Sequence, residues 1–304
     1  MVRSAWIKWA RAVEHQRLLA RRMREFVEVD SYEYVRTDNA RDHTDPLVRM
    51  HWRLHVKQPY PEQWSVIVGD VLTNLRAALD HVLWSAVVAH SGPPAKPQRV
   101  QFPITSMAAK FQQPTTELES LVAPKVWEVV EAVQPFHAGA QAHTTPLEVL
   151  RWLCNVDKHR TVHVVGRTAF DIAPVLVEAS VPLTVVEEWR HEGAVQDGAV
   201  VARLRIKRPA EGVPIDLRPT FAHLPSLQIS DTPPENRSLA KVMDGMREDV
   251  LWVLTAVTAA MGEPTPAGET LDLGDQHETF AAEYGGHLAL IRHDDGSIQP
   301  IRKP

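Results

Sequence analysis

Asp70, Asn74, Arg76, Asp80 and His81 crowd about three helical turns of one apolar stretch, Gly69 to Trp84, which reads GDVLTNLRAALDHVLW. At about 100° per residue, Asp70, Asn74, Ala77 and His81 share one stripe, and Thr73, Arg76, Asp80 and Trp84 share the stripe beside it. A carboxylate, an amide and an imidazole in line can bind a ligand. The guanidinium of Arg76 matches phosphate oxygens, and the imidazole of His81 can transfer protons near neutral pH. Arg76, His81, Asp80 and Asn74 are therefore the catalytic candidates, with Asp70 as a binding residue. A plainer reading competes: Arg76 and Asp80, four apart, form an intrahelical ion pair, and His81 is a hydrogen-bonded core histidine.

A second polar cluster, Asn155-Val156-Asp157-Lys158-His159-Arg160, closes a helix expected to start behind Thr144 and Thr145 with Pro146 in its first turn. Lys158 and Arg160 complement the negative end of that helix. Asp157 does not, unless a cation answers it: a buried Asp157 to Arg76 bridge would tie the two helices together, a structural role that stands beside the catalytic one. Asn155, Asp157, Lys158, His159 and Arg160 are carried as binding candidates. His81, Asp70, His159 and Asp157 are an alternative metal-ligand set, but the chain has no HExxH and no Glu-x-x-His pair from each of two helices, and no metal or other cofactor is expected.

A third feature is Arg49 to Lys57, where Met50, Trp52, Leu54 and Val56 alternate with Arg49, His51, Arg53, His55 and Lys57. The pattern predicts a strand with one apolar and one basic face. Either it is an edge strand whose cations discourage pairing with other chains, or Arg49, Arg53 and Lys57 belong to a ribbon that contacts phosphates.

The Arg76-x4-His81 spacing resembles the Arg-x(4 to 6)-His signature of the HEPN superfamily, all-helical domains that often act as metal-independent ribonucleases in toxin and defence systems. Ala77 stands where that superfamily usually has a polar residue. The resemblance implies two protomers pairing their motifs in a homodimer, with arginine on the scissile phosphate and histidine on the proton of the attacking 2'-hydroxyl. GDxLxNLRxALDH followed by NxDKHR also resembles an uncharacterised bacterial family over roughly residues 64–163, which implies no activity. The leading expectation is an RNA-cleaving protein. A non-catalytic binding or scaffold protein with buried polar networks is the alternative, and a metal-dependent hydrolase is the second.

The positioning elements follow from periodicity. Helices are expected over Ser4 to Val27, Glu62 to His90, Leu118 to Val133, from Pro146 onward, and Glu235 to Met261. Strands are expected near Tyr32 to Val35 and over Thr161 to Gly166, Pro174 to Ser180, Leu183 to Arg190, Ala199 to Lys207 and Phe221 to Ser230. Gln101 to Thr105 reads as a brief extended piece, and a small hairpin is expected around Asp294-Asp295-Gly296. The fold class expected is α+β, a helical core with an antiparallel sheet packed beside it. Its parts are a mainly helical region 1–160 with an early hairpin, a β segment 161–232, a closing helix 233–261 and a tail 262–304.

The 304 residues, 44% hydrophobic and 23% charged, suffice for a globular core, and a formal charge of -5 argues against a general DNA coat. RNA is the nucleic acid expected; DNA is not. A single cysteine, Cys154, excludes an intrachain disulfide and points to a reducing compartment. The N-terminus lacks a signal-peptide core, and the run Val250 to Met261 is about half of the roughly 20 residues a membrane span needs. The expectation is a cytoplasmic protein without a membrane partner.

Overall fold

The computed structural model describes residues 2–29, 31–112, 116–159, 162, 164–169, 184–191, 195–210, 222–231, 234–266, 290–292 and 298–300. The fold is α+β, with two compact units, each drawn from separated segments. The first takes Met1–Ala20, Ser65–Val162 and Lys241–Pro304, and the second Arg21–Trp64 and His163–Ala240.

Long helices dominate the first unit. Helix α1 (Arg3–Glu28) buries Trp6, Trp9, Val13 and Leu19, which recur at helical spacing. Helix α2 (Gln63–Ser91) buries Val68, Val71, Leu72, Leu75, Leu79, Val82 and Leu83 almost completely. A 29-residue helix with so wide an apolar band is one that neighbours surround. After two short turns, α3 (Ala108–Gln112) and α4 (Thr116–Glu119), helix α5 (Pro124–Ala132) begins at a proline. The single helix expected from Leu118 is thus interrupted, because a proline suits a first turn better than an interior one. Helix α6 (Pro146–His159) also starts on a proline and buries Leu147, Val149, Leu150 and Leu153.

Long-range hydrogen bonds hold these helices. Trp9 Nε1 donates to the carbonyl of Arg247 at 3.0 Å, and Gln16 Nε2 donates to Asp244 Oδ1 at 2.6 Å. Between α5 and α2 runs the extended piece expected at Gln101 to Thr105, which joins no sheet. Side chains satisfy its backbone instead: buried Gln134 accepts from the Thr105 N–H at 3.1 Å and donates to the Pro103 carbonyl at 2.9 Å.

The second unit is built on antiparallel sheets. Strands β1 (Tyr32–Asp38), β2 (Leu47–Val56), β4 (Val185–Arg190) and β5 (Val200–Lys207) form a sheet in the order β1-β2-β5-β4. Val48, Met50, Trp52, Leu54, Val201, Leu204 and Ile206 make its apolar side. Strand β2 is therefore internal, with Tyr34 opposite Leu54 on one flank and Leu204 opposite Met50 on the other. That corrects the edge-strand reading of Arg49 to Lys57: the alternation was real, but its polar face is the open side of a sheet and not its rim.

Strands β3 (Val164–Ala169), β6 (Ala222–Asp231) and β7 (Pro234–Ser238) make a second sheet in that order. Helix α7 (Leu239–Ala260) follows directly. The helix expected from Glu235 starts later because residues 234–238 pair with β6, Asn236 lying opposite Gln228. Strands β8 (Leu290–Arg292) and β9 (Ile298–Pro300) form the expected hairpin, whose turn Asp294 to Gly296 lies outside the described residues, as does the strand expected at Pro174 to Ser180.

Candidate functional site

Arg76 and Asp80 are paired, as the i,i+4 spacing allows, but the pair does more than brace its own helix. Arg76 Nη2 donates to Asp80 Oδ1 at 3.0 Å and to the Phe102 carbonyl at 2.7 Å. Asp80 Oδ1 in turn accepts from the Phe102 N–H at 2.8 Å. One ion pair thus satisfies both backbone groups of Phe102, whose ring is 1% exposed. It acts as a clamp on the extended piece.

On the neighbouring stripe the polar side chains turn to different surroundings. Asn74 Nδ2 turns back to the Asp70 carbonyl at 2.8 Å. Asp70 is exposed, and its carboxylate lies 3.9 Å from His15 Nδ1. His81 is half-buried, and its Nδ1 is enclosed without a hydrogen-bond partner among the described residues. Five residues at about 100° each put Arg76 and His81 roughly 140° apart around α2. The two halves of the Arg-x4-His pattern therefore point to different neighbours within one chain.

The second motif meets the first at Gly69. A Cβ there would lie 2.9 Å from Oδ2 of Asp157 and 3.0 Å from its Oδ1, so glycine is what lets the carboxylate sit on α2. No Asp157 to Arg76 bridge forms, since Arg76 is engaged by Asp80 and Phe102. Burial first, and then the negative charge of Asp70, raise the Asp157 carboxyl above its ordinary 3.8. His159 is exposed, and Arg160 lies outside the described residues.

Asn155 and Lys158 face a cavity of ≈ 210 Å³ together with Arg76, Arg151 and Cys154, walled by Phe102 and Ile104. Arg151 is held by Glu148, only 6% exposed, through Nε to Oε2 at 2.8 Å and Nη2 to Oε1 at 2.5 Å. Burial pushes the Cys154 thiol up to about 11, so it is neutral and a poor nucleophile.

The basic face of β2 is larger than its own sequence suggested. Strand β5 sets Arg205 opposite Arg49 and Arg203 opposite His51, and β4 sets Trp189 opposite Arg203. At the margin most charges are answered. Arg49 pairs with Asp45 at 2.7 Å, Arg205 with Glu187 at 2.6 Å, Lys57 with Glu33 at 2.9 Å and His55 with Asp197 at 3.2 Å.

At the centre they are not. Among the described residues Arg53 donates only to the Gly198 carbonyl, at 3.0 Å, and Arg203 lies 4.7 Å from the ring centroid of Trp189, itself 37% exposed. Neither has a carboxylate partner among the described residues. Partial burial, then Arg203, Arg53 and Arg205, lower the pKa of His51 below 6.5. Arg203, Arg205 and Trp189 escaped the sequence reading, although Arg203, Arg205 and Lys207 alternate with apolar residues as the β2 cations do.

Among the described residues, no three His, Cys, Asp or Glu side chains group to hold a metal ion, so His81, Asp70, His159 and Asp157 are not assembled as a ligand set. No described helix is long and apolar enough to cross a membrane. No protein-family model, curated protein or solved structure matches the chain.

Proposed function

We propose that the chain is a non-catalytic RNA-binding protein, in which the open face of the β1-β2-β5-β4 sheet takes a single strand, while the Arg76–Asp80 clamp and the Gly69–Asp157 contact serve packing. The observation that carries the reading is the centre of that face. Arg53 on β2 and Arg203 on β5 lack carboxylate partners among the described residues, and an exposed Trp189 lies against Arg203 on the edge strand β4. Unpaired guanidinium groups attract a phosphate backbone, and an exposed indole offers a surface on which a base can stack. The clamp on Phe102 and the Gly69 contact support the packing role of the motifs. The clamp engages Arg76 and Asp80, two of the side chains a nuclease would use.

Titration of the full chain with labelled single-stranded RNA tests this. Arg53→Gln and Arg203→Gln should each weaken binding and reduce the slope of log affinity against log salt by about 1. Binding that both variants leave unchanged would refute the assignment of this face. A second reading, a metal-independent HEPN-like ribonuclease completed across a homodimer, draws on the unpartnered Nδ1 of His81. The same RNA incubated in EDTA decides between them: 2',3'-cyclic phosphate ends that disappear in His81→Ala would favour the nuclease.

A further inference from the structure

We propose that the cavity between α2, α6 and the extended piece is a binding site for a small phosphomonoester. The site is separate from the sheet face and does not depend on the RNA reading. Three cations line it, Arg76, Arg151 and Lys158. Two of them are fixed from behind. Arg76 uses Nε and Nη2 on Asp80 and Phe102, and Arg151 uses Nε and Nη2 on Glu148. The Nη1 group of each makes no hydrogen bond among the described residues, and neither does the Lys158 ammonium.

Guanidinium groups already held in place lose little freedom when an anion arrives. The two carboxylates behind them cancel two of the three positive charges, which leaves the cavity attractive to an anion without being a general polyanion sink.

Shape and lining narrow the ligand. Three donors rooted at three positions suit the three terminal oxygens of a phosphomonoester better than the two of a carboxylate. Phe102 and Ile104 supply an apolar wall for the esterified group, and the Asn155 amide offers a further polar contact. The neutral Cys154 thiol adds no repelling charge. At ≈ 210 Å³ the cavity is smaller than the usual range for drug-sized ligands, about 300–1,000 Å³, so the ester carries only a few carbons or one ring.

Phenyl phosphate, inorganic phosphate and benzoate serve as probes on the full chain, with binding followed by calorimetry. The reaction of Cys154 with a disulfide reagent supplies a local signal, since it is the single cysteine. Phenyl phosphate should bind saturably, more tightly than inorganic phosphate, and slow the labelling of Cys154. Lys158→Gln and Arg151→Gln should each weaken it about 10- to 100-fold. Lys158 is exposed, so its variant should keep the wild-type circular dichroism and melting curve. Arg203→Gln on the sheet should leave phenyl phosphate binding unchanged while weakening RNA, which separates this site from the other. Unaltered Cys154 labelling, binding that survives both cavity variants, binding lost only in Arg203→Gln, or benzoate binding as tightly as phenyl phosphate would each overturn the proposal.

Discussion

The carboxylate of Asp157 rests on Gly69, close enough that a Cβ at residue 69 would stand 2.9 Å from Oδ2. Within a helix, alanine gains about 1 kcal/mol over glycine, while overpacking costs about 1–3 kcal/mol. Gly69→Ala should therefore lose about 0–2 kcal/mol in urea unfolding. In an Asp157→Ala background the same change should instead gain about 1 kcal/mol, because only the propensity term is left. Additive effects in this double-mutant cycle would mean that the two residues do not meet.

Asp157 also sets a pH dependence. Burial and Asp70 hold its folded-state carboxyl above 3.8, so the folded protein binds this proton more tightly than the unfolded chain. The resulting stabilisation is complete below the unfolded value and is lost as pH rises through the raised folded one. Asp157→Asn should remove that slope and be the more stable protein at neutral pH. Urea midpoints of both proteins between about pH 4 and pH 7 check it, and parallel curves would count against the shift.

The Phe102 clamp predicts a stability loss where a nuclease would lose only activity. Asp80→Ala leaves the N–H of buried Phe102 without its acceptor and the Arg76 guanidinium without its carboxylate, and should cost about 1–3 kcal/mol. Amide exchange at Phe102 should accelerate in that variant more than at Thr105, whose N–H is held separately by Gln134. Equal acceleration at both would show that the clamp is not local.

His51 should report on ligand binding at the sheet. Burial and its three arginine neighbours keep its folded pKa below 6.5, so the ring is neutral at pH 7. Phosphates laid on Arg53 and Arg203 would oppose those cations and raise it. Binding then takes up a proton, and RNA affinity should increase as pH falls toward and below 6.5. His51→Gln should flatten that profile. A wild-type affinity independent of pH would show that RNA does not lie across this residue.

What was legible in the sequence was whatever repeats locally. The periodicity of Val71, Leu75, Leu79 and Val82 located α2, Pro146 located the start of α6, and strict alternation located β2. Pairings distant in sequence were not legible. Asp80 could be matched to Arg76 by counting four residues, whereas their shared hold on the Phe102 backbone depends on the path of a segment with no period of its own. For the same reason the contact of Asp157 with Gly69 cannot be read from the helix pattern, which offers Arg76 as one partner. Residues 234–238 carry no strand pattern, and only the ladder to β6 makes them extended. The arginines of β5 were visible individually, but their juxtaposition with those of β2 is a property of the sheet.

That juxtaposition has a consequence for synthesis. Gly198, which closes the β5 side of Arg53, is made 145 residues later. At about 5–20 residues per second the ribosome needs roughly 7 to 30 s for that interval. Throughout it, β1 and β2 can pair as a hairpin, but the other side of β2 stays open, with the helices of the first unit emerging in the meantime. An unpaired strand bearing Met50, Trp52 and Leu54 is an invitation to neighbouring chains, and charged side chains along it are a common defence. Arg49, His51 and Arg53 would thus guard the nascent chain against its neighbours before they serve the finished sheet.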